Sequence, residues 1–386
     1  MDLQAADSGG RDVSGPNKPL SPTQRHLDTA LIERLVAAVF GPGAAVSSSA
    51  PLTGGGFASV QRVGLADGRE VVLKVGPRPD TALLEYETGM VAAEARYLRL
   101  AGPAALPGSA LADLYGAGGG PGDPVADGSE WIIMSLIPGT TLAGLGVDTG
   151  SGSAGSLEPV REALGAAIAR VHEVCSPTGR FGYDGGRADG ATWSEAFAAM
   201  IGALLRDAGR WNVTLPVGGA EILDLVARCR GELDGVRRAR LVHFDLWDGN
   251  VLCSLGAHGA DLRDGDGGAG GGYVLTGLVD GERHLFGDPL VDFVSPALFR
   301  RIEDEPDHPF VRGYRRAAGR GGGFTDGELL RLALYRTYLY LLMVVEMPSR
   351  GMGPDTHPER TARLRTLLVD AVGDARERIP AAGRRT

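Results

Sequence analysis

Residues 241–252, with the sequence Leu-Val-His-Phe-Asp-Leu-Trp-Asp-Gly-Asn-Val-Leu, restrict the fold of this chain more than any other stretch. Asp245 and, five positions later, Asn250 supply two side chains that phosphoryl transfer needs: a carboxylate that orients and deprotonates an acceptor hydroxyl, and an oxygen ligand for magnesium. The apolar residues on both sides predict two short strands that hold the loop at its ends. Because positioning catalysis needs a rigid support, we interpret the stretch as a phosphotransfer loop.

The composition of the chain sets its size class and excludes one kind of partner. With 386 residues, of which 43% are hydrophobic, the chain can bury one large core or two moderate ones, and two lobes are the expectation. A formal net charge of -9 argues against a nucleic-acid partner, because phosphate backbones are bound by basic surfaces. A small-molecule partner is expected, and the sequence leaves the oligomeric state, monomer or homodimer, open.

Cysteine spacing and hydropathy predict a cytoplasmic protein without a membrane partner. The cysteines lie far apart in the sequence and form no Cys-x-x-Cys pair, so neither a disulfide framework nor a zinc site is indicated. Residues 1–20 contain no apolar signal core, and the longest apolar run, residues 338–345, is too short to span a bilayer.

Lysine is nearly absent, because Lys18 and Lys74 are the only lysines among the 39 basic residues. Under such a bias a lysine that arginine could replace tends to be lost, so Lys74 is a candidate for a role that needs a compact ammonium on a flexible stem. It lies in residues 70–75, a strand-like run. Considered alone, it is equally well explained as an ordinary exposed strand lysine.

The residues before this strand predict a glycine-rich hairpin. Residues 52–65 and 70–75 have the pattern strand, glycine turn, strand, turn and strand. Gly54, Gly55 and Gly56 allow the backbone to close over phosphates, and Ser59 could add a hydroxyl donor. A glycine triplet alone is more often a plain flexible turn, and no Gly-x-x-x-x-Gly-Lys-Ser/Thr motif supports a P-loop.

A helix is predicted after the strand that carries Lys74. Residues 83–100 have apolar side chains at helical spacing. Glu94 on this helix is the expected partner of Lys74. Glu85 and Glu87 are expected to be solvated, which is the usual state of a helix glutamate.

Asp280 is the second candidate carboxylate of the phosphotransfer site. It ends the apolar strand of residues 273–280, where a side chain can point from a rigid support into a cleft. There it could supply the second magnesium-binding oxygen beside Asn250. The alternative is a cap of the turn into Gly281.

The order of these features resembles the aminoglycoside phosphotransferase family, which shares its two-lobed architecture with protein kinases. The glycine-rich hairpin, strand lysine, helix glutamate, Pro-Gly turn, residues 241–252 and strand aspartate occur in the family's order across about residues 45–350. The resemblance implies an α+β, two-lobed protein-kinase-like fold with a small antiparallel-sheet N-lobe and a larger, mainly helical C-lobe. We expect a disordered tail at residues 1–25, the nucleotide-binding N-lobe at 26–137 and the C-lobe at 138–380.

The resemblance also implies the roles of single residues. Asp245 would be the catalytic base, and Asn250 and Asp280 would be the Mg2+ ligands. Lys74 would clamp the α and β phosphates of ATP, with GTP as the alternative nucleotide, and Glu94 would hold Lys74. The family usually has glycine between the histidine and the catalytic aspartate, where this chain has Phe244. This departure can reshape the loop backbone but leaves the chemical groups in place.

A strand and a Pro-Gly turn at residues 130–139 resemble the hinge of the kinase fold. There the chain crosses between the lobes and offers backbone N–H and C=O groups to adenine. The resemblance therefore assigns Ser135 and Ile137 to the adenine contact and Met134 to the pocket wall. The pattern alone also fits a buried sheet strand without a ligand.

Several further residues are expected to support the C-lobe. The resemblance assigns Asp288 and Asp292 to bracing the catalytic loop and starting a helix, for which hydrogen bonds to backbone N–H groups are sufficient. His172 is expected to be a packed structural histidine. Helices are predicted at residues 160–174, 193–209, 222–233, 326–346 and 357–375.

The predicted activity is transfer of the γ-phosphate of ATP to a hydroxyl of an antibiotic of the aminoglycoside, peptide or nucleoside type, in resistance or self-resistance. The alternative is a metabolic kinase for a sugar, an amino sugar or a choline-like alcohol, because fold does not fix substrate. A third interpretation is a nucleotide-binding scaffold without turnover. The presence of Asp245 argues against it, because such a scaffold would need no catalytic base. The acidic residues at 303–307 could steer a cationic drug, although a charge run is usually a solvated surface.

Overall fold

The computed structural model describes residues 20–52, 55–104, 111–120, 122–123, 127–145, 157–256 and 272–379. Helix α1 (Thr29–Phe40) precedes a five-stranded antiparallel sheet with the strand order β1-β2-β3-β5-β4. The strands are β1 (Val46–Pro51), β2 (Ser59–Leu65), β3 (Glu70–Val75), β4 (Leu114–Gly118) and β5 (Trp131–Ser135), and helix α2 (Met90–Ala101) lies between β3 and β4 in the chain.

Strand β3 shows why the sheet has a different helix on each face. Alternate side chains of a strand point to opposite faces. Val71 and Leu73 pack with Leu35 of α1, whereas Val72 belongs to the larger core that includes Val91 of α2. Lys74 lies on the same face of β3 as Val72, so the alternation of β3 points its side chain toward α2.

The helix predicted at residues 83–100 begins later than its apolar pattern indicated. Residues 85–87 form a short 3₁₀ turn, and α2 begins at Met90. Gly89 has a φ of 75°, a left-handed conformation that breaks a continuous helix. The prediction of a solvated Glu87 is wrong, because this side chain is fully buried and pairs with Arg350 at 2.6 Å.

The rest of the described chain forms the mainly helical lobe. Its small sheets have the strand orders β11-β10-β6 and β8-β7-β12-β9. The strands are β6 (Thr140–Thr141), β7 (Phe181–Tyr183), β8 (Ala188–Gly190), β9 (Arg240–Val242), β10 (Val251–Leu255), β11 (Tyr273–Leu278) and β12 (Leu285–Gly287). The helices are α3 (Glu158–Val171), α4 (Trp193–Arg210), α5 (Gly219–Arg228), α6 (Arg230–Asp234), α7 (Pro309–Ala318), α8 (Asp326–Val345) and α9 (Pro358–Arg378).

The predicted helices are all present in this lobe, with shifted ends. The prediction at residues 222–233 is corrected, because α5 and α6 are separate helices that meet at Cys229. Helix α8 is the centre of the lobe: its residues 332–345 are all buried, so the apolar run noted in the sequence belongs to a core helix. Among the described residues, no helix combines the length and the apolar character that crossing a bilayer requires.

The segment before α1 is ordered by contacts with the glycine turn between β1 and β2. The hydroxyls of Ser21 and Thr23 donate hydrogen bonds to the carbonyl oxygen of Gly56, at 2.6 and 3.1 Å. The backbone of Arg25 is bonded to Ser59. The predicted disordered tail therefore does not extend over residues 20–25, and residues 1–19 lie outside the described part of the chain.

The small antiparallel sheet and the larger, mainly helical part confirm the predicted α+β, two-lobed fold class. A short connection joins the two lobes. It runs from Ser135 to the first strand of the second lobe, β6. Gly139 in this connection has a φ of 133°, and a Cβ atom there would lie 2.7 Å from the carbonyl oxygen of Cys253. Only glycine permits this approach of the connection to β10.

His308, the residue that caps α7, should make the protein less stable in mild acid. Its Nδ1 accepts a hydrogen bond from the N–H of Phe310, and burial together with Arg161 and Arg300 lowers its pKa to about 4. The unfolded chain binds a proton near pH 6.5, whereas the folded chain does so only near pH 4, so stability falls as the pH drops through this window.

Replacement of His308 by Asn keeps a side-chain acceptor at the cap but removes the titration. Between pH 7 and pH 5 the native protein should lose about 2 kcal/mol more unfolding free energy than His308→Asn. Urea unfolding at both pH values measures the difference. His357→Asn, at the exposed histidine before α9, is the matched control. Equal pH dependence of native protein and His308→Asn would contradict the assignment.

Candidate active site

Lys74 on β3 is the centre of a buried charge cluster. Its Nζ lies 2.8 and 2.7 Å from the two carboxylate oxygens of Glu94 and also contacts Oδ1 of Asp280. Lys74 is 4% exposed and Glu94 is 1% exposed. Burial alone would lower the pKa of Lys74, but the carboxylates of Asp280 and Glu94 outweigh it and raise this pKa, so the ammonium stays charged.

Asp280 enters the cluster from the turn that follows β11. It has a φ of 61°, a left-handed conformation that aspartate tolerates better than most residues. Burial would raise its pKa, but the contact with Lys74 outweighs this effect and lowers it. At the next position a Cβ atom would lie 2.2 Å from the ring of Tyr97, so Gly281 lets α2 pack directly on this turn.

The loop between β9 and β10 carries Asp245 and Asn250 and is tied to the Asp280 turn. Nδ2 of Asn250 donates to the backbone oxygen of Asp245 at 2.9 Å. The backbone oxygen of Asn250 accepts the N–H of Val279, at 3.0 Å. These bonds bring Asp245, Asn250 and Asp280 into one region, together with Lys74 and Glu94.

The Asp245 carboxylate is partly open to solvent and has a perturbed pKa. Its side chain is 23% exposed, and Nε of Arg283 lies 3.9 Å from Oδ2. Burial, helped by the charges of Asp280 and Glu346, raises the pKa of Asp245 to about 6, whereas Arg283 acts in the opposite direction. The group is therefore mostly ionised at neutral pH.

Phe244 adopts the backbone conformation that glycine would adopt most easily. Its φ is 70°, which is costly for an aromatic residue. The side chain is buried and packs on Tyr338, with ring centroids 5.5 Å apart. The loop thus keeps a left-handed turn before Asp245 although it lacks the expected glycine.

Asp292 holds the start of the loop between β9 and β10 in place. Its carboxylate accepts hydrogen bonds from the N–H groups of His243 at 2.9 Å and Phe244 at 2.6 Å. Its Oδ2 also lies 2.9 Å from Nε2 of His172, a buried histidine whose Nδ1 bonds the hydroxyl of Tyr314. The predicted bracing role of Asp292 and the structural role of His172 are confirmed by these contacts.

Asp288 has the second predicted support role. Its Oδ1 accepts the N–H of Leu290 at the start of a 3₁₀ turn, as expected for a cap. Its Oδ2 accepts from Nε of Arg331 and from the hydroxyl of Tyr335, both at 2.8 Å. The residue thereby links the turn after β12 to the core helix α8.

Asp292→Asn should destabilise the protein by about 3 kcal/mol. The amide group cannot accept the hydrogen bonds from the N–H groups of His243 and Phe244 and from His172 together, and its NH2 would meet a donor in a buried site. Urea unfolding at pH 7 measures the loss. Asp304→Asn, at an exposed acid, is the control. A loss no larger than that of the control would remove Asp292 from the bracing role.

The glycine turn between β1 and β2 only partly matches its predicted use. Gly55 and Gly56 are present in the turn, and their carbonyl oxygens accept hydrogen bonds from residues 21–24; Gly54 lies outside the described residues. In this structure the hydroxyl of Ser59 is already engaged, and its donation to phosphates stays a prediction. The hydroxyl has a single donor, and it donates to the carbonyl oxygen of Arg25 at 2.7 Å.

The predicted hinge residues differ in what they can offer a ligand. The N–H of Ser135 donates to the carbonyl oxygen of Asp113 at 2.9 Å, so this donor is already used, and a contact of Ser135 with adenine stays a prediction. Met134 lies on the face of the sheet that also carries Lys74, in register with Val72. Ile137 follows in the connection between the lobes and packs over Gly277.

Sequence reasoning missed two charged residues beside Asp280. Arg283 lies near Asp245 and pairs with Glu346 at 2.9 Å. Burial and the neighbouring acids Asp280 and Glu94 raise the pKa of Glu282 to about 8, although Lys74 acts against them. The available signal for Glu282 and Arg283 was their position shortly after Asp280. Nothing in the sequence pointed to Glu346, which directly follows α8.

The oxygen atoms of Asn250 and Asp280 fit magnesium. The described residues contain no group of three or more His, Cys, Asp or Glu side chains arranged to hold a metal ion. Magnesium in phosphotransfer sites is commonly held by one or two protein oxygen ligands together with the phosphates of the substrate. The amide and carboxylate oxygens at this site have the required hard-donor chemistry.

Comparisons with known proteins agree with this geometry. Residues 50–330 match the model of the phosphotransferase enzyme family, APH. A candidate fructosamine-3-kinase structure from Thermobifida fusca is 21% identical, with a TM-score of 0.57 over 91% of this chain and 99% of that chain. A candidate aminoglycoside phosphotransferase from Ralstonia eutropha is 15% identical, with a TM-score of 0.56 over 91% and 99%.

A protein of the choline/ethanolamine kinase family from Mesorhizobium loti is 19% identical, with a TM-score of 0.51 over 90% of this chain and 98% of that chain. At such identities the likeness is one of fold. No curated protein matches the chain.

Proposed function

This chain belongs to the phosphotransferase enzyme family APH, and on that basis we propose that it transfers the γ-phosphate of ATP to a hydroxyl of a small antibiotic molecule. The observation that carries the proposal is the convergence of Lys74, Asp280 and Asp245. The Lys74 ammonium contacts Asp280, whose turn is bonded to the loop that holds Asp245. A cation for phosphates and a carboxylate for an acceptor hydroxyl thus occupy one region.

The nucleotide side of the proposal uses residues of the first lobe. Lys74 would exchange part of its contact with Asp280 for the α and β phosphates of ATP, and Glu94 would keep the ammonium in position. Gly55 and Gly56 would lie over the phosphates, with Met134 and Ile137 near the adenine. Magnesium at Asn250 and Asp280 would neutralise charge on the phosphates when bound.

The acceptor side uses the catalytic loop. Asp245 would accept the proton of the attacking hydroxyl, and Arg283 favours the ionised form that this role needs. Trp247 on the same loop exposes 38% of its surface, so its ring could contact the acceptor. The acceptor would therefore approach from the solvent side of Asp245.

The charges around Asp245 bear on the type of acceptor. Near it, Arg283 pairs with Glu346, and the carboxylates of Asp280 and Glu94 share the single ammonium of Lys74, so the acids of this region outnumber its bases.

Three of the four acids at residues 303–307 pair with arginines, and the fourth, Asp307, is exposed. The side chain of Glu303 is buried and forms an ion pair with Arg336 at 2.7 Å, and Glu305 forms one with Arg300 at 2.5 Å. The reading of these residues as a solvated surface is therefore wrong for Glu303. The charges around Asp245 are compatible with an acceptor of the aminoglycoside, peptide or nucleoside type.

The second candidate function is a kinase for a sugar or an amino sugar, and the likeness in fold to a candidate fructosamine-3-kinase supports it. Such acceptors need hydrogen-bonding groups rather than a strongly acidic pocket. A choline-like alcohol carries a fixed cation, which the excess of acids around Asp245 could balance.

A substrate panel tests these proposals. Purified protein with ATP and Mg2+ is given an aminoglycoside, a cyclic peptide antibiotic, a nucleoside antibiotic, a hexose, an amino sugar and choline, and ADP release is measured. Expression in a sensitive host should raise tolerance only to the drug class that is phosphorylated, and Asp245→Asn is the matched control. Release of ADP with a simple sugar alone would favour the second function.

A further inference from the structure

A segment before α1, residues 21–25, forms a strap that is joined to the glycine turn between β1 and β2 by side-chain hydrogen bonds. The hydroxyls of Ser21 and Thr23 both donate to the carbonyl oxygen of Gly56, at 2.6 and 3.1 Å. Thr23 is only 3% exposed, so its bond is shielded from water. The carbonyl oxygen of Gly56 is therefore held facing the strap.

Gln24 and Arg25 extend these contacts along the turn. Nε2 of Gln24 donates to the carbonyl oxygen of Gly55 at 3.2 Å and to that of Ala58 at 3.0 Å. The N–H of Arg25 donates to the hydroxyl of Ser59 at 2.8 Å, and this hydroxyl donates to the carbonyl oxygen of Arg25 at 2.7 Å. The strap thus engages the turn from Gly55 to Ser59.

The strap approaches the turn from the face of the sheet opposite Lys74. Residues that lie directly opposite each other on neighbouring antiparallel strands have side chains on the same face. Ser59 lies opposite Val75, which packs in the core cluster of α1, whereas Val60 lies opposite Lys74. The hydroxyl of Ser59 and the strap bonded to it are therefore on the α1 side of the sheet.

A strap on this side determines where backbone N–H groups of the turn point. In a planar trans peptide, the C=O of one residue and the N–H of the next residue point in opposite directions. Because the carbonyl oxygens of Gly55 and Gly56 accept bonds from the strap, the N–H groups of Gly56 and Phe57 point away from it. Successive N–H groups of a turn can bind an anion together.

The strap and the turn are also in contact with the C-lobe. Arg350 pairs with the buried Glu87 at 2.6 Å, and its guanidinium lies 5.3 Å from the centroid of the Phe57 ring. In the strap, Cδ of Pro22 lies 3.4 Å from the position that a Cβ atom of Gly351 would occupy. The turn is therefore held between the strap on one side and a C-lobe arginine on the other.

We propose that the strap is a positioning element of the nucleotide site, and that its side chains fix the glycine turn with its N–H groups directed at the phosphates of ATP. The inference rests on the proposed function and adds to it a segment outside the hairpin that determines phosphate affinity. Without the side-chain donors of the strap, the peptide groups of the turn can rotate, and binding of phosphate should weaken. Binding of the nucleoside part should not change.

Titrations of the full chain with adenylyl imidodiphosphate and with adenosine, both with Mg2+, test the proposal. The double variant Thr23→Val with Gln24→Met removes the bonds to the carbonyl oxygens of residues 55, 56 and 58 that these two side chains make, without changing charge or much volume. We expect it to bind the ATP analogue about tenfold more weakly, the effect of about one net hydrogen bond. Adenosine, which has no phosphate, should bind as it does to the native protein.

Gln61→Met, two residues beyond Ser59 on β2, is the matched control and should bind both ligands like the native protein, and thermal unfolding confirms that each variant is folded. Native-like or tighter binding of the analogue by the double variant would overturn the proposal, and so would an equal loss of adenosine, which would indicate general damage to the site. A failure of the proposed function alone would appear as absence of ADP release with every acceptor while the tenfold loss persists. Absence of analogue binding by the native protein would overturn both.

Discussion

Replacement of Asp245 by asparagine should lower kcat by about 10²- to 10⁴-fold, the contribution of a positioned general base. The amide has nearly the shape of the carboxylate but cannot take the proton of the acceptor hydroxyl. The fold should persist, because the bond from Asn250 goes to the backbone oxygen of residue 245 and Arg283 remains paired with Glu346.

The measurement separates chemistry from binding. Initial rates of ADP release give kcat with the acceptor that is active in the panel, and titration with a non-hydrolysable ATP analogue gives the nucleotide affinity, which should change little. Asp224→Asn on the exposed side of α5 is the matched control and should behave as the native protein. A variant at Asp245 with native kcat would exclude this residue as the base.

Apolar flanks made most of the cluster predictable from the sequence. Lys74, Asp245 and Asp280 each lie in or directly after a strand, so the hydrophobic pattern that predicts the strand also fixes where the polar side chain is held. Glu94 followed from the helical spacing of its neighbours. Local pattern therefore predicted which element carries each residue, whereas the resemblance to the aminoglycoside phosphotransferase family implied that these residues share one site.

The sequence could not predict contacts between segments that lie far apart in the chain. The hydroxyl of Ser59 donates to the backbone of Arg25, and the N–H of Ser135 donates to the carbonyl oxygen of Asp113. Glu87 looked solvated on a helix, but Arg350 from the C-lobe covers it. No local pattern contains the position of such partners, because it depends on how the lobes pack.

The position of Phe244 shows a related limit. Left-handed backbone at a non-glycine residue costs roughly 1–3 kcal/mol, and sequence reasoning has no means to see what offsets this cost. In the fold the ring is buried against Tyr338, and the N–H bonds Asp292. Tertiary packing thus maintains a turn that the local sequence disfavours.

Asp280→Asn should have the second large effect on turnover. The substitution removes half of the predicted magnesium ligand set, and we expect kcat to fall by about 10²- to 10³-fold, the usual loss when one group that stabilises developing charge is removed. The magnesium concentration needed for half-maximal activity should also rise. The fold should persist because Lys74 keeps both of its bonds to Glu94.

The same variant also separates the role of Asp280 from that of Lys74. Since the Asp280 carboxylate contacts the Lys74 ammonium, its neutralisation leaves Lys74 more available to phosphates. Nucleotide affinity measured without magnesium should therefore stay equal or increase, while affinity with magnesium falls. ADP release across a magnesium series and titrations with and without the metal measure both effects, with Asp370→Asn on α9 as the control. A native magnesium dependence in Asp280→Asn would mean that this carboxylate holds Lys74 and does not bind the metal.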